Sequence, residues 1–308
     1  MLSKAERKLL YALARDYAGD DAAIVDAGCF LGGSTAALLA GLRDRPEPWH
    51  GPPVASYDLF RVEAYTIPKF FADDPSLRVG DSFRERFDVN VAPFDVPHVV
   101  HEGDITKLGW SGGPIDVLFL DVLKTWEVND AVLLDFFPSL VPGRSLIIHQ
   151  DYGSGWLPWI PIGVELMGDS LSLIDGMEWG SHVFFVEREL PPELLARGVS
   201  GLDVGSKFEL VERAATRSEG WVRGMIEVAR AELIFEQDGV EAALRALADI
   251  EERYAAYEYV VSFIAHVKRD LETGGTYEVS GDRRSATRRL VQAGRRLTSA
   301  LFGSSSTG

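Results

Sequence analysis

Residues 24–42, IVDAGCFLGGSTAALLAGL, constrain the fold of this chain more than any other stretch. An apolar run ends in Asp26, a glycine-bearing turn follows, and Ser34-Thr35 open an alanine- and leucine-rich segment. That order predicts a buried strand, a tight turn and a helix. Gly28, Gly32 and Gly33 can take positive φ and let backbone N–H groups come close to a ligand. The plainer reading is a strand-to-helix turn capped by Ser or Thr. Gly28 is followed by three residues before Gly32, which departs from the G-x-G-x-x-G dinucleotide fingerprint, and the Gly-Lys-Ser/Thr of a P-loop is missing. Nicotinamide dinucleotides and nucleoside triphosphates are therefore the weaker ligand candidates.

The pattern repeats. Apolar runs at 22–26, 54–60, 99–102, 115–121, 145–151 and 182–186 alternate with helical or polar stretches. Several are apolar on both alternating faces, as strands covered by helices on both sides require. The fold class is thus α/β, with a doubly wound, mostly parallel sheet. Ligands in such sheets bind beyond the carboxyl ends of the strands, so the polar residues ending each run are the candidates for function. The main domain is expected over residues 1–190, opening with an amphipathic helix at 3–18. Residues 61–96 are too long and aromatic for a plain connection and read as a lid or cap. A helical extension is expected over 191–275, resembling a helical hairpin broken at Gly220 and at Asp238-Gly239, with homo-oligomerisation through these helices as one way to cover its apolar face.

The glycine turn resembles motif I of class I S-adenosylmethionine-dependent methyltransferases, above all the sugar and macrolide O-methyltransferase branch with its D-x-G-x-x-x-G-x-S-T turn. Three further pieces follow in the same order: SYDLF, HEGDIT, and IDVLFLDVLKTWEVNDAVLLDFFPSLVPGRSLIIHQDY. The resemblance spans roughly residues 20–188 and implies a seven-stranded, Rossmann-like methyltransferase sheet. It implies that Asp26, Gly28, Gly32, Ser34 and Thr35 line the cofactor turn. It places Asp58 on the ribose hydroxyls, where two carboxylate oxygens suit two hydroxyl donors, and Gly103 and Asp104 near the adenine. S-adenosylmethionine is the implied cofactor, and a small-molecule hydroxyl, on a sugar or secondary metabolite, the implied acceptor.

The departures from that pattern fall at the acceptor end. Relatives read D-G-x-H-x-Y after the fourth strand; here Asp121-Val122-Leu123-Lys124-Thr125-Trp126 stands. Metal-dependent relatives often end the fifth strand in two adjacent acids, where this chain has Gln150-Asp151. The acceptor-side candidates are Asp121, Lys124, His149 and Asp151. His149 is the first choice as general base, because an imidazole titrates near neutral pH. Asp121, Asp151 and the amide oxygen of Gln150 are candidate ligands for one Mg²⁺; alternatively Lys124 pairs with one of the acids and takes the place of the metal. Trp156, Trp159 and the 61–96 aromatics either form an acceptor pocket or pack the core. Those substitutions also motivate a rival from another class, a methyltransferase-fold scaffold without catalysis.

Composition narrows the partners. A formal net charge of −16 argues against nucleic acid, since phosphate binding draws on clustered Lys and Arg. The single cysteine, Cys29, suits a reducing compartment, and the opening residues do not read as a signal peptide, so a cytoplasmic protein is expected. Residues 282–308 carry six arginines against one acid, Asp282. They read as a basic, solvated tail over 276–308, with contact to a membrane surface as the less favoured alternative.

Overall fold

The computed structural model describes residues 2–176 and 181–273. The basic tail, and any membrane contact through it, lies outside the described residues. Helix α1 (Lys4–Ala12) starts at a reciprocal cap in which Ser3 and Glu6 satisfy each other's backbone N–H, and a π-helical turn (Leu13–Tyr17) continues it. The unit built on the glycine turn follows: β1 (Ala23–Ala27), α2 (Gly33–Arg43) and β2 (Val54–Asp58). Two short helices, α3 (Ile67–Phe70) and α4 (Arg84–Val91), lead to β3 (His98–Glu102). Then come α5 (Ile105–Leu108), β4 (Ile115–Leu120), α6 (Trp126–Asp135), β5 (Leu146–His149) and α7 (Trp159–Met167). The sheet closes with β6 (Leu171–Gly176) and β7 (His182–Val186).

These strands form one seven-stranded sheet in the order β3-β2-β1-β4-β5-β7-β6. The first five are parallel; β7 runs antiparallel to both β5 and β6. Chain order reverses between β1 and β4, which opens a crevice at their carboxyl ends. Register makes that edge coherent: Ala27 pairs with Tyr57 and Leu120, and Leu120 with His149. Gly28, Asp58, Asp121 and Gln150 therefore emerge side by side. β6 escapes a sequence reading because successive Leu173 and Ile174 are both exposed, which breaks the alternation expected of a half-buried strand.

The strands are apolar on both faces because both are covered. Ile24, Val117, Phe119 and Ile148 pack with α1, α2 and the 61–96 segment, whose Phe71, Phe83 and Phe87 are buried along with Phe60 just before it. Val25, Leu118 and Ile147 face the other core, with Val132, Ile160 and Ile162 from α6 and α7. After residue 190 come α8 (Pro192–Arg197), α9 (Val204–Arg217), α10 (Gly220–Asp238), α11 (Val240–Arg253) and α12 (Glu258–Glu272). The expected hairpin is thus a longer array. Leu210, Val211 and Ala214 of α9 join the core under the sheet, whereas α10, α11 and α12 enclose a core of their own around Met225, Leu247 and Ile264.

Candidate active site

The turn after β1 is fixed by its backbone. Gly28 has φ +95°, and a Cβ there would meet the Asp121 carbonyl oxygen at 2.4 Å. No other residue fits without moving β4. Gly32, at φ +86°, lets Phe87 and Val91 approach within 3.1 Å of where its Cβ would be. Asp26 is fully buried behind the turn. Its Oδ2 accepts from Ser34 at 2.8 Å and from Thr35 at 2.5 Å, so both hydroxyls reach the site through Asp26. Its Oδ1 has no hydrogen-bond partner among the described residues. Burial pushes the Asp26 pKa up to about 7 against the two hydroxyl donors, with Asp121 and Asp58 adding to the rise.

Asp58 ends β2 in a cradle of main-chain donors. Phe30 N–H donates to Oδ2 at 2.9 Å and Phe60 N–H to Oδ1 at 2.7 Å. Each oxygen keeps a lone pair for another donor. Phe30 and Phe60 are left-handed, with φ of 45° and 51°; the third such non-glycine residue among those described is Trp156, after β5. Backbone strain of this kind collects at functional sites. The Phe30 ring packs edge-on against Phe70 and Phe83, so these two aromatics of the 61–96 segment brace the glycine turn. Gly103 follows β3 at φ +143°, and its N–H donates to the Asp58 carbonyl at 2.9 Å. Asp104 caps α5 by accepting from Thr106 and pairs with Lys107 at 2.8 Å, which holds its pKa down.

Beyond the carboxyl ends of β4 and β5 the structure brings Asp121, Lys124, Gln150 and Asp151 together. The Lys124 ammonium lies between the two carboxylates, 2.9 Å from Asp121 and in direct contact with Asp151. Read with its nitrogen toward the acids, the Gln150 amide donates to Asp151 at 2.9 Å and to Asp121 at 3.1 Å. The amide oxygen, the expected third metal ligand, then faces away, and a tethered cation fills the space between the acids. Burial works against the Lys124 charge, but Asp121 and Asp151 together raise its pKa. Burial raises Asp121 to about 6, with Lys124 pulling it down and Asp151 pushing it up. The three side chains remain 20% to 27% exposed, so the cluster is open to a ligand.

His149 sits apart from this cluster. It is 4% exposed, lies edge-on to Phe184, and neither ring nitrogen has a hydrogen-bond partner among the described residues. Burial, with His182 nearby, lowers its pKa to about 3. Trp159 donates its indole N–H to the Leu123 carbonyl at 2.8 Å, fixing the loop before Lys124, and Trp156 is buried in the α10–α12 core. Both are packing residues. Two aromatics that sequence reasoning missed lie by the loop that follows Asp151: Trp221 on α10, against Gly153, and Tyr259 on α12, against Trp221. Nothing local marks them, because only the packing of the last helices brings them there.

No protein-family model and no curated protein matches the chain. Solved structures similar to it include cofactor-bound Rv0187 from MTB, 19% identical, with a TM-score of 0.41 over 61% of this chain and 82% of that one. CalS11, a TDP-rhamnose 3'-O-methyltransferase of calicheamicin biosynthesis, is 18% identical, with a TM-score of 0.41 over 59% of this chain and 77% of its own. The O-methyltransferase TomG from Streptomyces achromogenes, solved with SAM, is 18% identical, with a TM-score of 0.38 over 61% and 82%. Likenesses this distant leave the function to be argued from the chain's own residues.

Proposed function

We propose that this chain is an S-adenosylmethionine-dependent methyltransferase acting on a hydroxyl oxygen of a small molecule. The observation that carries the reading is Asp26 Oδ1, a fully buried carboxylate oxygen without a partner behind a turn only glycine can make. An unpartnered buried acceptor is costly unless a ligand donor completes it, and the ammonium of an amino-acid ligand is such a donor. Asp58, one strand away with free lone pairs on both oxygens, suits a ribose diol; the backbone around Gly103 and the outer edge of Asp104 remain for the adenine. S-adenosylmethionine bound there supplies a methyl group already activated on a sulfonium.

The residues beyond β4 and β5 supply the rest. Asp121, at a pKa of about 6, is the group best matched to take a proton from an acceptor hydroxyl near neutral pH. Lys124 offsets the negative charge that develops on the oxygen, as a divalent metal does elsewhere. His149, at about 3, is a weak proton acceptor. With both ends of the site furnished, the scaffold reading loses its motive.

Calorimetric titration with S-adenosylhomocysteine, on wild type and on Asp58→Ala, is the test. Micromolar binding is expected, weakened about 100-fold or more by the substitution, since each charge-assisted hydrogen bond contributes about 1.5–3 kcal/mol. A folded wild-type protein that does not bind overturns the reading.

A further inference from the structure

Trp221 and Tyr259 come from helices far along the chain, yet they stand beside the loop that carries Asp151. The Trp221 ring lies 3.1 Å from where a Cβ on Gly153 would be, two residues beyond Asp151. Tyr259 meets Trp221 edge to face, with centroids 5.6 Å apart and planes at 88°, and remains 45% exposed. An exposed tyrosine braced by a tryptophan, next to an open acid–lysine cluster, is more than core packing needs. Partial burial, and then the charge of Asp151, oppose ionisation of the Tyr259 hydroxyl.

We infer that the corner formed by Trp221 and Tyr259 is the acceptor-recognition surface, taking a hydroxyl-bearing six-membered ring stacked on an aromatic face with a hydroxyl directed to Lys124 and Asp121. This rests on the methyltransferase reading above. Aromatic side chains present a broad apolar face with a defined electrostatic pattern, which suits both phenolic rings and the C–H faces of sugars. The helices after residue 190 therefore complete the site. The short acidic cluster holds the reacting hydroxyl, and the aromatic corner orients the ring that bears it.

The test uses the full chain loaded with S-adenosylhomocysteine, whose affinity is measured first by calorimetry. Quercetin and methyl α-D-glucopyranoside are then titrated separately as a phenolic and a sugar probe, on wild type, Tyr259→Ala and the neighbouring surface variant Glu258→Ala. At least one probe is expected to bind wild type. Tyr259→Ala should weaken that probe about three- to tenfold, leave S-adenosylhomocysteine affinity within twofold, and still melt cooperatively; Glu258→Ala should leave both affinities within twofold. Which probe binds identifies the ring. Intact S-adenosylhomocysteine binding with no binding of either probe, or a probe affinity indifferent to Tyr259→Ala, overturns the inference while leaving the methyltransferase reading standing. Loss of S-adenosylhomocysteine binding by wild type overturns both.

Discussion

Three titratable side chains set opposing pH dependences. Asp26, raised to about 7, and Asp121, raised to about 6, favour the protonated form in the folded state. Their stabilising contribution is full below a carboxylate's ordinary pKa and is lost as pH rises through 6 and 7. His149, lowered to about 3, acts the other way: its contribution is full above about 6.5 and is lost as pH falls toward 3. Thermal midpoints should therefore fall less with rising pH between about 5 and 7 in Asp26→Asn than in wild type, and fall more steeply between about 4 and 6.5 in His149→Phe, where the opposing contribution is gone. Because a ligand ammonium prefers ionised Asp26, S-adenosylhomocysteine affinity is expected to increase from pH 6 to pH 8 in wild type and not in Asp26→Asn. Lys124 makes its own prediction. Turnover should be indifferent to EDTA in wild type, fall at least 100-fold in Lys124→Ala, and recover in part with millimolar Mg²⁺, which can enter the space the ammonium leaves; EDTA-sensitive wild-type turnover would show that the lysine does not serve as the cation.

Elements differ in how much of them is written locally. The β1–turn–α2 unit is legible because Gly28 and Gly32 occupy left-handed positions and Ser34 and Thr35 anchor a buried acid, all within ten residues. The meeting of Asp121, Lys124 and Asp151 is legible only as a list of strand-end residues; the parallel register decides that they touch. Tyr259 is illegible, since its place depends on α10, α11 and α12 packing on one another. The stop between α11 and α12 is hidden for a related reason: Ile250, Tyr254 and Tyr257 continue the apolar period across it. The loop after β5 joins the two regions, inserting left-handed Trp156 into the α10–α12 core beside Gly155, whose Cβ would lie 2.7 Å from Phe263. Trp156→Ala should cost about 3–5 kcal/mol, read in urea unfolding, and should lower acceptor turnover more than cofactor affinity.

In the whole molecule, the sheet's second face is not finished at residue 190. Leu195, Val199, Leu210, Val211 and Ala214 fill the core that α6 and α7 begin, and buried Glu165 of α7 pairs with Arg213 and Arg217 of α9. A chain ended at residue 190 would expose that apolar face and leave Glu165 without its arginines. It is expected to be aggregated or dye-binding in a hydrophobic-dye fluorescence assay, whereas the full chain is not; a monomeric, cooperatively melting fragment would refute this. The order of parts along the chain has a further consequence. Every residue assigned to the methyl donor lies before position 105, and every residue assigned to the acceptor lies after 120. Exchange of the downstream portion between related genes would hand a new acceptor preference to an unaltered donor site, so a lineage built this way can diversify its products while inheriting its chemistry intact.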